Sequence, residues 1–510
     1  MVLSKKMEGT ERCSGILLAI SSLPNPYGIG SFGQSAYQFV DFLVETEQTY
    51  WQILPLTTTS YGDSPYQSFS VSAGNIYFID LDYLVQEDLL LSEELTEIDF
   101  GQRPDQVDYG SIYQTRLKLL ILAAKRFLEE GDLTDYHLFV EREADWLKDY
   151  AEFMAIKAVH GMSAWTEWDR PIRQREEQAL EAFRQQLANQ IEHHQVIQYF
   201  FYSQWEKLKR YANQKGIQII GDLPIYVSED SVEMWAQRDY FQVDEEGLPR
   251  MVAGTPPDAF SVEGQYWGNP LYDWKYHANH HYDWWVHRIQ SSLRLYDLIR
   301  LDHFRGFEAY WAIPTGSETA AAGSWVKGPG QDFFNQLKSR LGHLPIIAED
   351  LGVITEEVEA MRDSAGFPGM RVLQFGLDHG QDSLHLPHHY HWNTIAYVGT
   401  HDNETALGRY LGLSPSEQAA FDAYAMRPPT ESPAQAMNRL IAQSVSRVAI
   451  YCMQDLLDLD NQARMNRPSC LGQNWQWRLK AGQLDNQLAS KLRTLTRRYY
   501  RSNPHREEAH

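Results

Sequence analysis

The sequence has only three cysteines in 510 residues, Cys13, Cys452 and Cys470. They are too few and too scattered for a disulfide framework or a cysteine-based zinc site, which favours a reducing compartment. No apolar run reaches the length of a membrane-spanning helix. The run from Gly15 to Ile20 follows basic residues, as in a secretory signal peptide, but it is short and lacks a cleavage pattern. The sequence therefore predicts a soluble cytoplasmic protein.

Basic residues are scarce as well, since 45 lysines and arginines stand against 68 aspartates and glutamates, a net charge of −23. This balance argues against nucleic acid and anionic membranes as partners and favours a neutral or cationic ligand. Aromatic residues, in contrast, are plentiful, with 15 tryptophans and 29 tyrosines. They allow a large core and leave rings for ligand contacts. No repeat or low-complexity linker divides residues 1–510, so we predict one catalytic domain, as a monomer or a weak homo-oligomer.

Four apolar segments of the chain each end in a carboxylate, namely Asp222, Asp302, Glu349 and Asp402. Segments long enough for helices separate them, which is typical of parallel strands whose carboxyl ends face one pocket. Four further segments have strand character: residues 15–23, 50–56, 370–375 and 448–457. The total of eight predicts an α/β fold, a (β/α)8 TIM barrel with large insertions.

Two long segments exceed what a minimal barrel needs. Residues 57–215 carry mostly helical patterns, and we predict a helical subdomain inserted after strand two, because so long a loop is uncommon in a compact domain. A second insertion, residues 229–297, follows strand three. Within it, residues 252–260 combine glycine with paired prolines, which predicts a stiff lid loop over the site. Residues 501–510 are predicted to be frayed.

The residues around Asp302 indicate how the pocket would work. Strand alternation puts Arg300 and Asp302 on one face, where the arginine stabilises the ionised carboxylate and suits it to act as a nucleophile. A structural ion pair at a strand end would have the same pattern. Glu349 follows an apolar run without a neighbouring cation, so burial can raise its pKa and let it carry a proton. Asp402, next to His401, can stabilise positive charge developing on a sugar ring.

One ionised and one protonated carboxyl group are the minimum for retaining glycoside chemistry, which predicts about 5–5.5 Å between the carboxyls of Asp302 and Glu349. Rings at Tyr66, Tyr266 and Trp267 would supply stacking for neutral sugars. Residue types alone also fit a metal-dependent hydrolase built on the same acids. They leave phosphoryl, aldol and peptide chemistry open, although the sequence has neither a P-loop nor a GxSxG elbow.

Two other motifs lack the context that their best-known functions require. Gly28, Gly30 and Gly33 form a GxGxxG, but a segment with two prolines separates it from the strand before it, and the next strand has no terminal acid for a ribose. This argues against nicotinamide binding. Five histidines between residues 379 and 391 match no standard ligand spacing, so we interpret them as a polar loop framing the pocket. We expect no metal and no cofactor.

Several motifs together resemble those of amylomaltases, the bacterial 4-α-glucanotransferases also called disproportionating enzymes. They include residues 61–66 (YGDSPY), 221–227 (GDLPIYV), 254–258 (GTPPD), 264–270 (GQYWGNP), 299–306 (IRLDHFRG), 348–352 (AEDLG), 399–403 (GTHDN) and 463–466 (ARMN). The resemblance implies a barrel of the α-amylase type without a C-terminal β-sandwich domain. It also implies transfer of glucan segments between α-1,4-linked chains, with maltose, maltotriose and longer α-1,4-glucans as donors and acceptors.

Carried over by position, the resemblance implies that Asp302 is the nucleophile, Glu349 the acid/base and Asp402 the transition-state stabiliser. It implies sugar contacts or support from Tyr66, Asp222, Gln265, Trp267, Arg300, His303, His401, Asn403 and Asn466, and a lid that contains Gly254, Pro256, Pro257 and Asp258.

One departure stands at Ser469-Cys470, where the family usually has Gly-Thr, and it puts acceptor preference in doubt. A glucan hydrolase and a silent sugar-binding protein on the same scaffold remain alternatives. The presence of all three acids disfavours the silent protein.

Overall fold

The computed structural model describes residues 11–257, 262–468, 470 and 472–505. Asp258 of the predicted lid loop lies outside the described residues. So does Ser469, one of the two residues at which the sequence departs from the family pattern.

Twelve β-strands occur in these ranges. In chain order they are β1 Cys13–Leu17, β2 Tyr50–Gln52, β3 Gln218–Leu223, β4 Met251–Thr255, β5 Gln265–Pro270, β6 Leu298–Leu301, β7 Ala309–Pro314, β8 Ser324–Lys327, β9 Ile346–Ala348, β10 Gly369–Val372, β11 Thr394–Tyr397 and β12 Val448–Cys452.

Eight of the strands form one parallel sheet in the order β10-β11-β12-β1-β2-β3-β6-β9. The first strand pairs with the last, with Cys13 opposite Val448, and the backbone N–H of Ala348 at the end of β9 donates to the Pro368 carbonyl before β10 at 2.9 Å. The sheet therefore closes on itself, and the predicted TIM barrel is confirmed. All eight strands overlap the segments predicted for them, although β1 begins two residues before its predicted segment, β10 begins one residue before its own, and β3 ends one residue after its own.

The barrel strands are short, apolar and almost wholly buried, as expected where helices cover the outside and side chains fill the inside. Gly15 of β1 has a particular packing role. A Cβ atom at this position would lie 2.5 Å from the carbonyl oxygen and from the Cβ of Tyr50 on β2. A side chain there would push the first two strands apart.

Twenty α-helices occur in the described residues. They are α1 Gln34–Glu45, α2 Leu81–Gln86, α3 Ser92–Thr96, α4 Tyr109–Glu130, α5 Thr134–Arg142, α6 Ala144–Val159, α7 Arg170–Arg173, α8 Glu177–Gln186, α9 Ala188–Gln214, α10 Val232–Ala236, α11 Trp274–Asn279, α12 Asp283–Leu295, α13 Gly330–Leu341, α14 Glu356–Ala365, α15 Leu373–His379, α16 Ala406–Gly412, α17 Pro415–Ala425, α18 Pro433–Gln443, α19 Met453–Leu456 and α20 Asn486–Arg498.

Local sequence signals explain where several of these helices begin. The Ser432 side chain accepts a hydrogen bond from the Gln435 N–H, and Pro433 occupies the first turn of α18, where no intrahelical N–H bond is needed. Helices α2 to α9 all lie between β2 and β3. In the parts of the chain described above, no helix is long and apolar enough to cross a membrane.

The other four strands form an antiparallel sheet in the order β5-β4-β7-β8, which the sequence analysis did not predict. Gly254 lies in β4, opposite Tyr266 of β5 and Trp311 of β7. The prediction of a loop is therefore wrong for residues 252–255, and of the described lid positions only Pro256 and Pro257 lie beyond the strand. The lid segment therefore continues from β4, which pairs with β5 in the antiparallel sheet.

In the described residues after β12, the regular secondary structure is helical. Helices α19 and α20 follow β12, and no β-sandwich occurs in the described residues beyond it. The prediction of a frayed end is wrong at Arg501, which is 0% exposed. Its guanidinium donates to main-chain carbonyls of Cys13, Ala442, Ser444 and Ser446 at 2.7–3.1 Å, so it fastens the end of the chain to the first strand.

Candidate active site

The four predicted carboxylates stand at the carboxyl ends of four barrel strands. Asp222 lies near the end of β3, Asp302 follows β6, and Glu349 follows β9. Asp402 lies in the turn of residues 400–406 that follows β11, which we call the Asp402 turn. Because the strands are parallel, all four acids lie at the same rim of the barrel.

Arg300, in the middle of this rim, contacts two of the acids. Its Nη1 lies 2.8 and 2.7 Å from the two carboxylate oxygens of Asp222 and 2.9 Å from Oδ1 of Asp302. The Asp222 side chain is fully buried, and burial raises its pKa while the Arg300 charge opposes that shift. The Asp302 side chain remains 27% exposed, so it faces the cleft. Arg300 thus pairs with a carboxyl group that remains accessible from the cleft.

Glu349 lies in different surroundings. It is 8% exposed, and its carboxylate accepts hydrogen bonds from the backbone N–H groups of His303 at 2.7 Å and Leu351 at 2.9 Å. Burial, reinforced by the negative charge of Asp302, raises the pKa of Glu349 well above its ordinary range, although the Arg300 charge and both N–H donors work in the opposite direction. Glu349 is therefore suited to hold a proton at neutral pH.

Asp402 has cationic and amide partners. Its Oδ2 lies 3.2 Å from Nε2 of His401, and its Oδ1 accepts a 2.6 Å hydrogen bond from the Asn466 amide. Burial would raise the pKa of Asp402, but the His401 charge and these hydrogen bonds outweigh it and lower the pKa. Burial alone would lower the pKa of His401, but the negative charge of Asp402 outweighs this effect and raises that pKa. Each partner therefore favours the charged form of the other, and the Asp402 side chain is 42% exposed.

The Tyr66 hydroxyl joins these two groups of charges. It donates to Oδ2 of Asp222 at 2.9 Å and lies 2.9 Å from Nε2 of His401, and its ring stacks on the His401 ring with centroids 5.3 Å apart. A continuous chain of contacts consequently runs through Asp302, Arg300, Asp222, Tyr66, His401, Asp402 and Asn466.

The remaining predicted residues lie beside this chain. The Trp267 ring meets the His303 ring edge-on at 4.9 Å, and its indole N–H donates to the Gln265 side chain at 3.0 Å. Asn403 uses its side-chain oxygen within the protein, where it accepts from the Thr400 N–H at 2.8 Å and shapes the Asp402 turn. Trp267 and Gln265 therefore extend the site towards the lid sheet.

Four residues that contact the Asp402 turn were missed by the sequence analysis: Gln374, Asp455, Asn461 and Arg464. Asn461, for example, accepts from the Thr405 N–H at 3.2 Å and donates to the Glu404 carboxylate at 2.7 Å. Only Arg464 had a signal in the sequence, because it lies two positions before Asn466 in a segment already considered functional. The others bond to backbone groups, which residue types do not reveal.

The histidine-rich segment has contacts within the protein. His388 Nδ1 lies 3.0 Å from the Tyr424 hydroxyl, and His389 Nε2 lies 3.1 Å from the Gln381 carbonyl. Across the residues that the structure describes, no group of three or more His, Cys, Asp or Glu side chains could hold a metal ion.

Comparison with known proteins identifies the family. The family model described as 4-alpha-glucanotransferase matches residues 18–485. The chain belongs to the 4-α-glucanotransferase family. A 4-alpha-glucanotransferase of Streptococcus pneumoniae is 52% identical over 495 residues, covering 97% of this chain and 98% of the relative. One of Thermus thermophilus is 46% identical, covering 95% and 98%.

A solved structure agrees with this family assignment. The amylomaltase from Streptococcus agalactiae in complex with acarbose superposes with a TM-score of 0.95 at 48% identity, covering 96% of this chain and 100% of that one. As a member of the 4-α-glucanotransferase family, the protein is a transferase that acts on glucans.

Proposed function

We propose that the protein transfers segments of α-1,4-glucan from a maltodextrin donor to the 4-hydroxyl of glucose or another maltodextrin, by a retaining double displacement through a covalent glycosyl-Asp302 intermediate. The observation that carries this proposal is the contrast between Asp302, anchored to Arg300 at 2.9 Å, and Glu349, whose pKa burial raises. One carboxyl group is set up as a nucleophile and the other as an acid.

In the first step, Glu349 gives its proton to the scissile glycosidic oxygen while a carboxylate oxygen of Asp302 attacks the anomeric carbon. The glycosidic bond breaks, the reducing-end fragment leaves with the proton, and an ester bond joins the glucan to Asp302. Positive charge on the ring in the transition state is stabilised by Asp402, which His401 and Asn466 hold in its anionic form.

In the second step, the ionised Glu349 removes the proton from the 4-hydroxyl of an acceptor sugar, and that oxygen displaces Asp302. Configuration is retained because the anomeric carbon is inverted twice. The mechanism requires the carboxyls of Asp302 and Glu349 to be about 5–5.5 Å apart. Transfer exceeds hydrolysis if the acceptor is positioned in place of water, an effect worth about 7–11 kcal/mol when orientation is good.

The proposed sugar-contacting residues are Tyr66, Asp222, Gln265, Trp267, His303, Asn403 and Asn466, with the segment that continues from β4 through Pro256 and Pro257 as the lid. Maltose, maltotriose and longer α-1,4-glucans are the proposed donors and acceptors. The acarbose complex of the similar Streptococcus agalactiae amylomaltase supports a site for such chains.

Incubation with maltotriose alone tests this function. Glucose together with a ladder of longer maltodextrins, resolved by chromatography, is the expected result. Glucose and maltose without any ladder would instead identify a glucan hydrolase, and unchanged maltotriose would identify a sugar-binding protein.

A further inference from the structure

The backbone of the Asp402 turn is held by side chains from the segments that follow β10 and β12. Arg464 donates to the Asp402 carbonyl at 2.7 Å, and Gln374, just after β10, donates to the Glu404 carbonyl at 2.8 Å. These bonds fix the middle of the turn. Its exit is fixed by Asp455, which lies in α19 directly after β12.

The contact made by Asp455 is short and buried. Its Oδ1 accepts a hydrogen bond from the backbone N–H of Ala406 at 2.7 Å, and the residue is 2% exposed. Ala406 is the first residue of α16, so the bond determines where the Asp402 turn passes into the helix. No ion pair with Asp455 occurs among the described side chains, although buried carboxylates usually have one.

Asp455 borders a small cavity of about 20 Å³ behind the Asp402 turn. The ionisable groups that share this lining are His401, Glu404, Cys452 and Arg464. Burial raises the pKa of Asp455 to about 7; the Ala406 N–H opposes this shift and the nearby Asp458 carboxylate adds to it. The group therefore changes charge close to neutral pH.

We propose that Asp455 is a positioning residue for the transfer reaction, which sets the placement of Asp402 by holding the exit of its turn through Ala406. This inference rests on the role given to Asp402 under the proposed function. The neutral carboxyl is the form that fits the site, because its carbonyl oxygen accepts from Ala406 without placing a charge beside Glu404. Ionisation adds a buried negative charge without a cation partner and shifts the turn.

The sign of the pH effect follows from the raised pKa. An ordinary aspartate loses its proton near pH 4, whereas Asp455 keeps it until about pH 7 in the folded protein. The contribution of Asp455 to the free energy of unfolding is fully present below the ordinary aspartate pKa. It is lost as the pH rises through the pKa that Asp455 has in the folded protein. Transfer activity falls as the pH approaches the pKa of Asp455 in the folded protein, because Asp455 then ionises.

Asp455→Asn separates the charge from the hydrogen bond, because the amide oxygen still accepts from Ala406. We expect its turnover number at pH 6 to stay within about twofold of the wild type and the alkaline limb of its pH profile to move to higher pH. Asp455→Ala removes the acceptor, and we expect kcat to fall about 10- to 100-fold with a smaller change in KM, the usual result of a displaced catalytic group. Asp460→Asn is the matched control, since Asp460 caps the next turn through Gln462 and should leave the profile unchanged.

Thermal unfolding supplies a second measurement that does not depend on catalysis. The melting temperature of the wild type should drop relative to that of Asp455→Asn between pH 5 and pH 8. A wild type that makes the maltodextrin ladder, beside an Asp455→Asn variant with an identical pH profile and a constant melting difference, would overturn the positioning role. A wild type that makes no ladder would instead refute the proposed function, and the melting comparison would still show whether Asp455 titrates in the fold.

Discussion

The carboxylate of Glu349 accepts a 2.7 Å hydrogen bond from the backbone N–H of His303, and His303 itself has left-handed backbone angles, with φ at 47°. Non-glycine residues rarely adopt this conformation. Here it turns the backbone N–H of His303, the residue directly after Asp302, towards the end of β9. The proposed acid is thereby tied to the backbone that carries the proposed nucleophile. This hydrogen bond couples the position of Glu349 to that of Asp302.

Asp302→Asn should reduce transfer from maltotriose by about 10⁴-fold or more, because an amide cannot form the glycosyl ester. Binding of maltodextrin, measured by calorimetry, should persist. Asp297→Asn is the matched control, since Asp297 lies at the opposite end of β6 and accepts from the Ile219 N–H at 2.8 Å, an interaction that the amide oxygen can keep. Turnover of Asp302→Asn near the wild-type level would disprove the nucleophile assignment.

Glu349→Ala should lose about 10²- to 10⁴-fold in activity on maltotriose, the usual contribution of a general acid and base. With α-maltosyl fluoride as donor and azide as acceptor, neither proton transfer is needed, so much of the activity should return. The rate of maltosyl azide formation measures this. Glu357→Gln, at an exposed position of α14, is expected to behave as the wild type in both assays. A variant as slow with fluoride and azide as with maltotriose would exclude the acid/base role.

Tyr66→Phe keeps the ring that stacks on His401, and it removes the hydroxyl that contacts both His401 and Asp222. Hydrogen bonds to charged groups contribute about 1.5–3 kcal/mol, so kcat should fall about 10- to 100-fold while maltodextrin affinity changes little. Tyr211→Phe is a matched control, because that hydroxyl also donates to a carboxylate, Asp41, outside the site. Equal kcat values for Tyr66→Phe and the wild type would show that the hydroxyl has no part in the reaction.

Arg501→Met should lower the free energy of unfolding by about 3–5 kcal/mol, because several main-chain carbonyls at the base of the barrel would lose their donor. Urea unfolding followed by fluorescence measures the change. Arg498→Met removes an exposed arginine of α20 and should change stability by less than about 0.5 kcal/mol. If both variants had the same free energy of unfolding, the Arg501 hydrogen bonds would contribute nothing to stability.

The barrel was predictable from sequence because its strands are buried on both faces and appear as apolar runs, such as the run before Asp302. The antiparallel lid sheet was not. Its strand β4 ends in a glycine and a threonine before two prolines, a composition typical of loops, and β8 is exposed along its whole length. Strands of this kind are held by cross-strand partners such as Gly254 and Trp311, which only the folded chain brings together.

The site was predictable as a set of residues but not as a network. Sequence spacing gave the pairing of Arg300 with Asp302, yet Arg300 also binds both carboxylate oxygens of Asp222, a residue far away in the chain. The bridge through the Tyr66 hydroxyl depends on the loop after β2 passing over β3 and β11. Asp455 was missed for the same reason, since it bonds to a backbone N–H and no local pattern distinguishes it from a surface aspartate.

Pairing of Cys13 with Val448, reinforced by Arg501, also constrains how the polypeptide is synthesised. During translation, β1 emerges before the other barrel strands, whereas β12, which pairs with its second edge, is the last of the eight to emerge. The nascent chain must therefore keep one edge of β1 shielded until β12 has been synthesised, and only the arrival of β12 allows the barrel to close.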